Sequence, residues 1–166
     1  MPQFFLTKTT LSINMHTLGL RVSPKEITFC VFDISNNNIV NLEEICVPNA
    51  LEIPEKLKYV RATLLDVLRE YDIQKAGIKL TEPNAQKISI ERVQIEGVIQ
   101  ETFASSMLKA YYQGPLATIS SKLDMNKTAL KELINESAEC DFVSDWNDYK
   151  EKEREAIVVA IGARNV

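Results

Sequence analysis

The first third of the chain carries short runs of apolar residues separated by polar turns, a pattern that predicts β-strands. Three such runs, at residues 17–22, 27–34 and 39–47, are rich in β-branched and aromatic side chains. The segments between them read Ser-Pro-Lys at 23–25 and Ser-Asn-Asn-Asn at 35–38, compositions that favour tight turns. Three strands joined by tight turns predict an antiparallel meander.

The pattern changes to helical spacing after residue 53. Leu57, Val60, Leu64 and Val67 fall on one helical face, and Pro54 is a favourable first residue of a helix, so we predict a helix over residues 54–70. Residues 75–80, which read KAGIKL, then predict a fourth strand.

The second half of the chain is predicted to be mainly helical. A long helix is expected over residues 88–112, where the following Gly-Pro pair at 114–115 would end it. A short fifth strand is expected at 116–119, and further helices at about 126–137 and 149–163.

This order of elements predicts an α/β fold. The expected sheet is mixed and five-stranded, with a three-strand antiparallel meander and two parallel strands, flanked by helices. At 166 residues the chain suits a single domain, which we place at residues 15–166. Residues 1–14 precede the first strand and are predicted to be a flexible extension.

Composition narrows the classes of function. The net charge is −4 and the isoelectric point about 5.2, which disfavours broad nucleic-acid binding because such binding usually rests on a strongly basic face. No apolar run approaches the roughly 20 residues that a membrane span needs, so no membrane partner is expected. Three widely spaced cysteines and a single histidine form no zinc pattern, and free thiols favour a cytoplasmic location.

Four short motifs, in their order and spacing, resemble a known superfamily. They read LGLRVS at 18–23, AGIK at 76–79, RVQIEGVI at 92–99 and KEREAI at 152–157. Together they resemble the RNase H-like superfamily, and within it the RuvC-type branch of Holliday-junction resolvases. The chain is still more similar to a group of small uncharacterised bacterial proteins that have this fold and a lysine in the same strand.

The resemblance also shows where the chemistry departs from the family. Active members are expected to bind two Mg²⁺ ions through converging carboxylates, which activate water and stabilise the leaving oxygen. The corresponding positions here are Arg21, Lys79, Lys152 and Glu155, of which only Glu155 keeps a negative charge. Three cations would repel Mg²⁺. We therefore expect a pseudoenzyme with no catalytic residue and no cofactor, acting as a binding or assembly module.

Two interpretations of these cations stay open. In this fold Arg21 and Lys79 would lie together at the carboxyl ends of neighbouring strands, and with Lys152 they would form a basic pocket partly countered by Glu155. Such a pocket would suit a phosphate, a nucleic-acid backbone or a partner's acidic side chain, which is the hypothesis of a non-cleaving nucleic-acid-binding protein. In the simpler interpretation the cations pair with Glu82 and Glu155 and have no ligand.

A second alternative is a divergent metal-dependent nuclease. It would rebuild a Mg²⁺ site from Glu82, Glu153 and Glu155, which requires two replacement carboxylates to converge on the third. For partners, the resemblance to a dimeric resolvase implies a homo-oligomer such as a dimer, formed through the sheet edges or the predicted long helix that begins at Ile88.

Three aromatic residues complete the candidates. Tyr111, Tyr112 and Trp146 would suit a stacking platform for bases. The preferred interpretation is structural, with the tyrosines ending the long helix against the core and the tryptophan fixing an acidic loop.

Overall fold

Five strands form one mixed sheet in the computed structural model, which describes residues 14–135 and 139–166. The strands are β1 (His16–Val22), β2 (Glu26–Asp33), β3 (Asn38–Cys46), β4 (Ile73–Lys79) and β5 (Ala110–Gly114). Their order across the sheet is β3-β2-β1-β4-β5. The first three strands pair antiparallel, and β4 pairs parallel with both β1 and β5. This confirms the predicted α/β fold with its meander and two parallel strands.

Five α-helices flank the sheet within the described ranges. They are α1 (Ile53–Glu70), α2 (Ile90–Ser105), α3 (Leu116–Lys122), α4 (Lys127–Asn135) and α5 (Glu151–Gly162), with short 3-10 turns at Trp146–Asp148 and Ala163–Asn165. One apolar core lies between the sheet and α1 with α2, and a second lies between the sheet and α3, α4 and α5. Neither core includes a helix long and apolar enough to cross a bilayer, nor does any other part of the described chain.

Strand β1 serves both cores because its side chains alternate between the two faces of the sheet. Leu18 and Leu20 are buried against α1 and α2. On the other face Thr17 Oγ1 donates to Ala160 O at 2.7 Å. Gly19 allows α5 to approach closely, since a Cβ at that position would lie 2.2 Å from the backbone nitrogen of Ala160.

The fifth strand is the element that the sequence pattern misplaced. The helix predicted over 88–112 ends at Ser105, its last residues form β5, and the strand predicted at 116–119 is part of α3. Tyr112 explains the change: its ring packs over Gly77 of β4, and its hydroxyl donates to Val159 O at 2.8 Å. Pro115 then stands at the N-terminal cap of α3, where a proline ends the strand and precedes the helix.

Two of the three aromatic candidates, Tyr112 and Trp146, are buried and have structural roles, whereas Tyr111 is 40% exposed. Trp146 is buried, and its Nε1–H donates to Leu133 O at 2.9 Å, which fixes the loop before α5 to α4. Tyr112 is buried in β5, so the expectation that it ends a helix was wrong. The predicted extension, residues 1–14, lies outside the described residues except for Asn14.

Candidate functional site

The parallel pairing of β1 with β4 brings two of the predicted site residues side by side. Arg21 and Lys79 are register partners near the carboxyl ends of these strands. The side chain of Arg21 lies on the face of the sheet that α5 covers, because residues 17, 19 and 21 share one side of β1. Lys79, its register partner, lies on the same face. The predicted meeting of these two cations at one end of the sheet is what the structure shows.

A single carboxylate from α5 joins the two cations. Arg21 Nε donates to Glu155 Oε2 at 3.0 Å, and Lys79 Nζ donates to Glu155 Oε1 at 3.2 Å. The exposed fractions of the side chains are 26% for Arg21, 13% for Lys79 and 10% for Glu155. We call this group, Arg21 with Glu155 and Lys79, the ion triad. It carries one excess positive charge in a largely desolvated place.

Lys152 does not join the ion triad. Its Nζ donates to Glu26 Oε1 at 2.8 Å and also pairs with Glu44, which ties the start of α5 to the β2–β3 hairpin. The hydrogen bond from Lys152 lowers the pKa of the Glu26 carboxyl, and the same bond raises the pKa of the Lys152 ammonium. The basic pocket expected from three cations therefore contains only Arg21 and Lys79, because Lys152 has its own pair of acids.

The three carboxylates of the metal alternative are each bound to a different partner. Glu82 Oε1 accepts from the backbone N–H of Leu116 at 2.9 Å, at the start of α3. Glu153 Oε2 accepts from the backbone N–H of Lys150 at 2.7 Å and caps α5, while Glu155 belongs to the ion triad. Across residues 14–135 and 139–166, no cluster of three or more His, Cys, Asp and Glu side chains is arranged to hold a metal ion. The residues present do not fit a Mg²⁺ pair.

A cavity of about 300 Å³ opens beside the ion triad. Lys79 and Glu155 lie on one side of it, and Lys127 and Lys131, one turn apart on α4, lie on the other. Its remaining described lining residues are Glu82, Asn84, Leu116, Ile134, Asn135 and Glu151. The charges are mixed, and Lys127 Nζ lies 3.9 Å from Glu82 Oε2. Sequence reasoning missed both α4 lysines, although their spacing of four residues places them on one helical face.

A buried carboxylate holds the segment that follows Lys79. Glu96 of α2 accepts at Oε1 from the backbone N–H of Thr81 at 2.9 Å, from the Thr81 hydroxyl at 2.8 Å and from Arg92 Nε at 2.9 Å. Glu96 is only 4% exposed. The sequence offered one signal for this contact, the Arg92–Glu96 pair at helical spacing. Glu96 therefore fixes the rim of the cavity to α2.

Comparison with known proteins reveals similarity in structure alone. No family model matches the chain, and no curated protein matches it in sequence. The Thermus thermophilus RuvC structure has a TM-score of 0.64 and 13% identity, covering 89% of this chain and 92% of that one. The same protein in complex with a Holliday junction substrate has a TM-score of 0.61 and 11% identity over the same shares.

A second solved structure extends the similarity to a eukaryotic protein. The yeast mitochondrial Holliday junction resolvase Ydc2 has a TM-score of 0.55 and 13% identity, covering 92% of this chain and 78% of that one. These similarities extend over nearly the whole chain and confirm the fold expected from the four motifs. Identities this low show the fold and nothing about activity.

Proposed function

We propose, on the premise that this chain has the RuvC-type RNase H-like fold, that it is a non-cleaving binding or assembly module. The observation that carries the proposal is the ion triad, in which Arg21 and Lys79 occupy the strand ends and both bind Glu155. The carboxylate that resembles the family's metal ligand is already neutralised by two cations. A module of this kind would use the scaffold for contacts with a partner and leave the former reaction centre as an internal ion network.

The physical basis is competition for one carboxylate. A divalent cation at Glu155 would displace two amino-acid cations that are held at about 3 Å, or it would lie beside them. Repulsion between two unit charges of the same sign about 4 Å apart amounts to about 4 kcal/mol near a protein surface, and the double charge of the metal ion doubles it. The carboxylate of a single residue provides too few oxygen ligands to offset this repulsion.

The test combines a cleavage assay with metal titration. We expect no cleavage of a synthetic four-way junction, of duplex DNA or of single-stranded DNA in Mg²⁺ or Mn²⁺, and no metal-dependent thermal shift. The paired variant Arg21→Asp with Lys79→Glu should acquire Mn²⁺ binding in calorimetry, because it puts two carboxylates at the strand ends beside Glu155 of α5. Metal-dependent cleavage by the natural protein that is lost in Glu155→Gln would refute the proposal.

The outer face of α2 is the surface that we propose for assembly into a homodimer. Ile90 and Val93 are 76% and 43% exposed, and Ile88, just before the helix, is also exposed. Gly97, four residues after Val93, faces open space. Residues 90, 93 and 97 lie on one helical face, so a second copy of α2 could pack there at short distance.

Sedimentation velocity over a concentration series tests this surface. We expect a dimer whose dissociation constant rises strongly in the variant Ile90→Glu with Val93→Glu, because two charges would be buried against the partner helix. Val40→Glu, a change at an equally exposed valine on β3, serves as the matched control and should leave the dimer intact. A monomer at all concentrations would refute homodimerisation and leave the non-cleaving proposal standing.

A second candidate function is nucleic-acid binding without cleavage. The cavity supports it, because Lys79, Lys127 and Lys131 converge there. The net charge of −4 opposes it. In fluorescence anisotropy with a labelled four-way junction, Lys127→Ala with Lys131→Ala should reduce the slope of log K against log salt by about two if both contact phosphates. The control variant Lys25→Ala with Lys58→Ala changes two exposed lysines outside the cavity.

A further inference from the structure

Strand β3 is an outer edge of the sheet, and its outward backbone groups have no backbone partner among residues 14–135 and 139–166. Val47 N–H donates to Lys25 O at 2.8 Å, and antiparallel pairing alternates from there, so residues 45, 43 and 41 bond to β2. Leu42, Glu44 and Cys46 then direct their N–H and C=O groups away from the sheet. In the described parts of the chain none of these groups forms a backbone hydrogen bond. An edge of this kind is a template for one more strand.

A groove of about 400 Å³ runs beside this edge, between β3 and α1. Its apolar wall includes Phe29 and Ile45 from the sheet and Tyr59 and Val67 from α1. Tyr59 is 38% exposed, so the groove presents aromatic surface to solvent. Apolar grooves next to a free strand edge accept alternate side chains of an added strand.

The charges around the groove are of one sign. Glu43 lines it from β3 and Glu70 from the end of α1, both exposed, and its described lining contains no lysine or arginine. Glu44 also lines the groove, but Lys152 neutralises it by an ion pair from α5. A ligand of this surface therefore gains from positive charge placed near Glu43 and Glu70.

We propose that the β3 edge groove binds an extended basic segment of a partner polypeptide, which adds a sixth strand beside β3. Main-chain hydrogen bonds to Leu42, Glu44 and Cys46 supply the pairing. Alternate side chains of the partner enter the groove, and its lysines or arginines lie near Glu43 and Glu70.

The same charges exclude a second copy of this chain as the occupant. A β3 strand from another protomer would bring its own Glu43 against the same acidic edge. Like charges on neighbouring strands destabilise pairing. This surface is also separate from the α2 face proposed for the homodimer, so the two proposals stand or fall independently.

The probe is a blocked, fluorescein-labelled peptide of sequence KVKVKVK. We expect it to bind in fluorescence anisotropy, and the variant Glu43→Lys with Glu70→Lys should weaken binding about tenfold, the usual combined effect of two exposed charge pairs. The matched control Glu132→Lys with Asp141→Lys makes the same change of charge at exposed positions on and after α4, and it should bind as the natural protein does. Far-UV circular dichroism checks that both variants are folded.

Hydrogen exchange distinguishes strand addition from attraction of charge alone. Bound peptide should slow exchange at the amides of Leu42, Glu44 and Cys46, and a peptide with alternate backbone nitrogens methylated should lose both binding and protection. The proposal is overturned if KVKVKVK does not bind, if it binds without protecting β3 amides, or if those amides are protected by self-association in the absence of peptide.

Discussion

Removing the charge of Glu155 should destabilise the protein, because Arg21 and Lys79 would lose their shared partner. Replacing one member of a fully buried ion pair costs about 3–5 kcal/mol. The two cation side chains here are 26% and 13% exposed, so water offsets part of the loss. We expect Glu155→Gln to lower the free energy of unfolding by about 2–3 kcal/mol.

The measurement is urea unfolding followed by far-UV circular dichroism, together with a thermal scan. For a chain of this size 1 kcal/mol corresponds to about 2–4 °C, so Tm should fall by roughly 4–12 °C. The control Glu101→Gln removes a carboxylate from an exposed pair with Arg61, and it should change stability far less than Glu155→Gln does, because water and salt screen an exposed pair.

Replacing the whole ion triad by apolar residues separates the effect of the charges on stability from the effect of the space that the side chains fill. Arg21→Leu with Lys79→Met and Glu155→Leu removes all three charges, and such replacements are often neutral or stabilising. We expect this variant to be more stable than Glu155→Gln alone. A neutral effect of Glu155→Gln, or a triple variant less stable than the single one, would refute the view that the ion triad is a desolvated network.

Three further predictions follow from the fold. Gly19→Ala should cost about 3 kcal/mol in urea unfolding because the new Cβ meets the α5 backbone, whereas Gly97→Ala should stabilise the monomer by about 1 kcal/mol because its site is open. In native protein the thiol reagent DTNB should modify exposed Cys46 and spare Cys30, since burial raises the pKa of the Cys30 thiol; equal rates would contradict this. The pKa of the Glu26 carboxyl lies below its usual 4.5, so its contribution to stability is fully present above pH 4.5 and is lost as the pH falls through the lowered pKa. Glu26→Gln should therefore reduce the loss of stability in acid titrations.

The strands and most helices could be predicted because local pattern and final environment agree. The runs at β1, β2 and β4 are apolar on both faces, as strands between two helical layers must be. The segment 106–119 could not be predicted, since Tyr111 and Tyr112 continue an apolar helical spacing and only packing across Gly77 makes them a strand. Tertiary contact overrode local preference there.

The site was predictable to the extent that β-sheet register fixes it. Arg21 and Lys79 meet because strand order places β1 beside β4, and Glu155 faces them from α5. The partners of Lys152 could not be predicted from the sequence pattern, because its long side chain reaches Glu26 and Glu44 on a hairpin more than a hundred residues away in sequence. Lys127 and Lys131 line the cavity because α4 packs against α3 and α5. No sequence motif predicts that packing.

The shared carboxylate also restricts how this chain can change over evolutionary time. Replacing Arg21 or Lys79 alone by an acid would leave two carboxylates beside one cation, an arrangement in which the carboxylates repel each other and still provide too few oxygen ligands for a pair of Mg²⁺ ions. We therefore expect each single replacement of this kind to destabilise the protein. The three positions form one epistatic unit, and among descendants of this protein we expect residues 21, 79 and 155 to change together or to stay as they are.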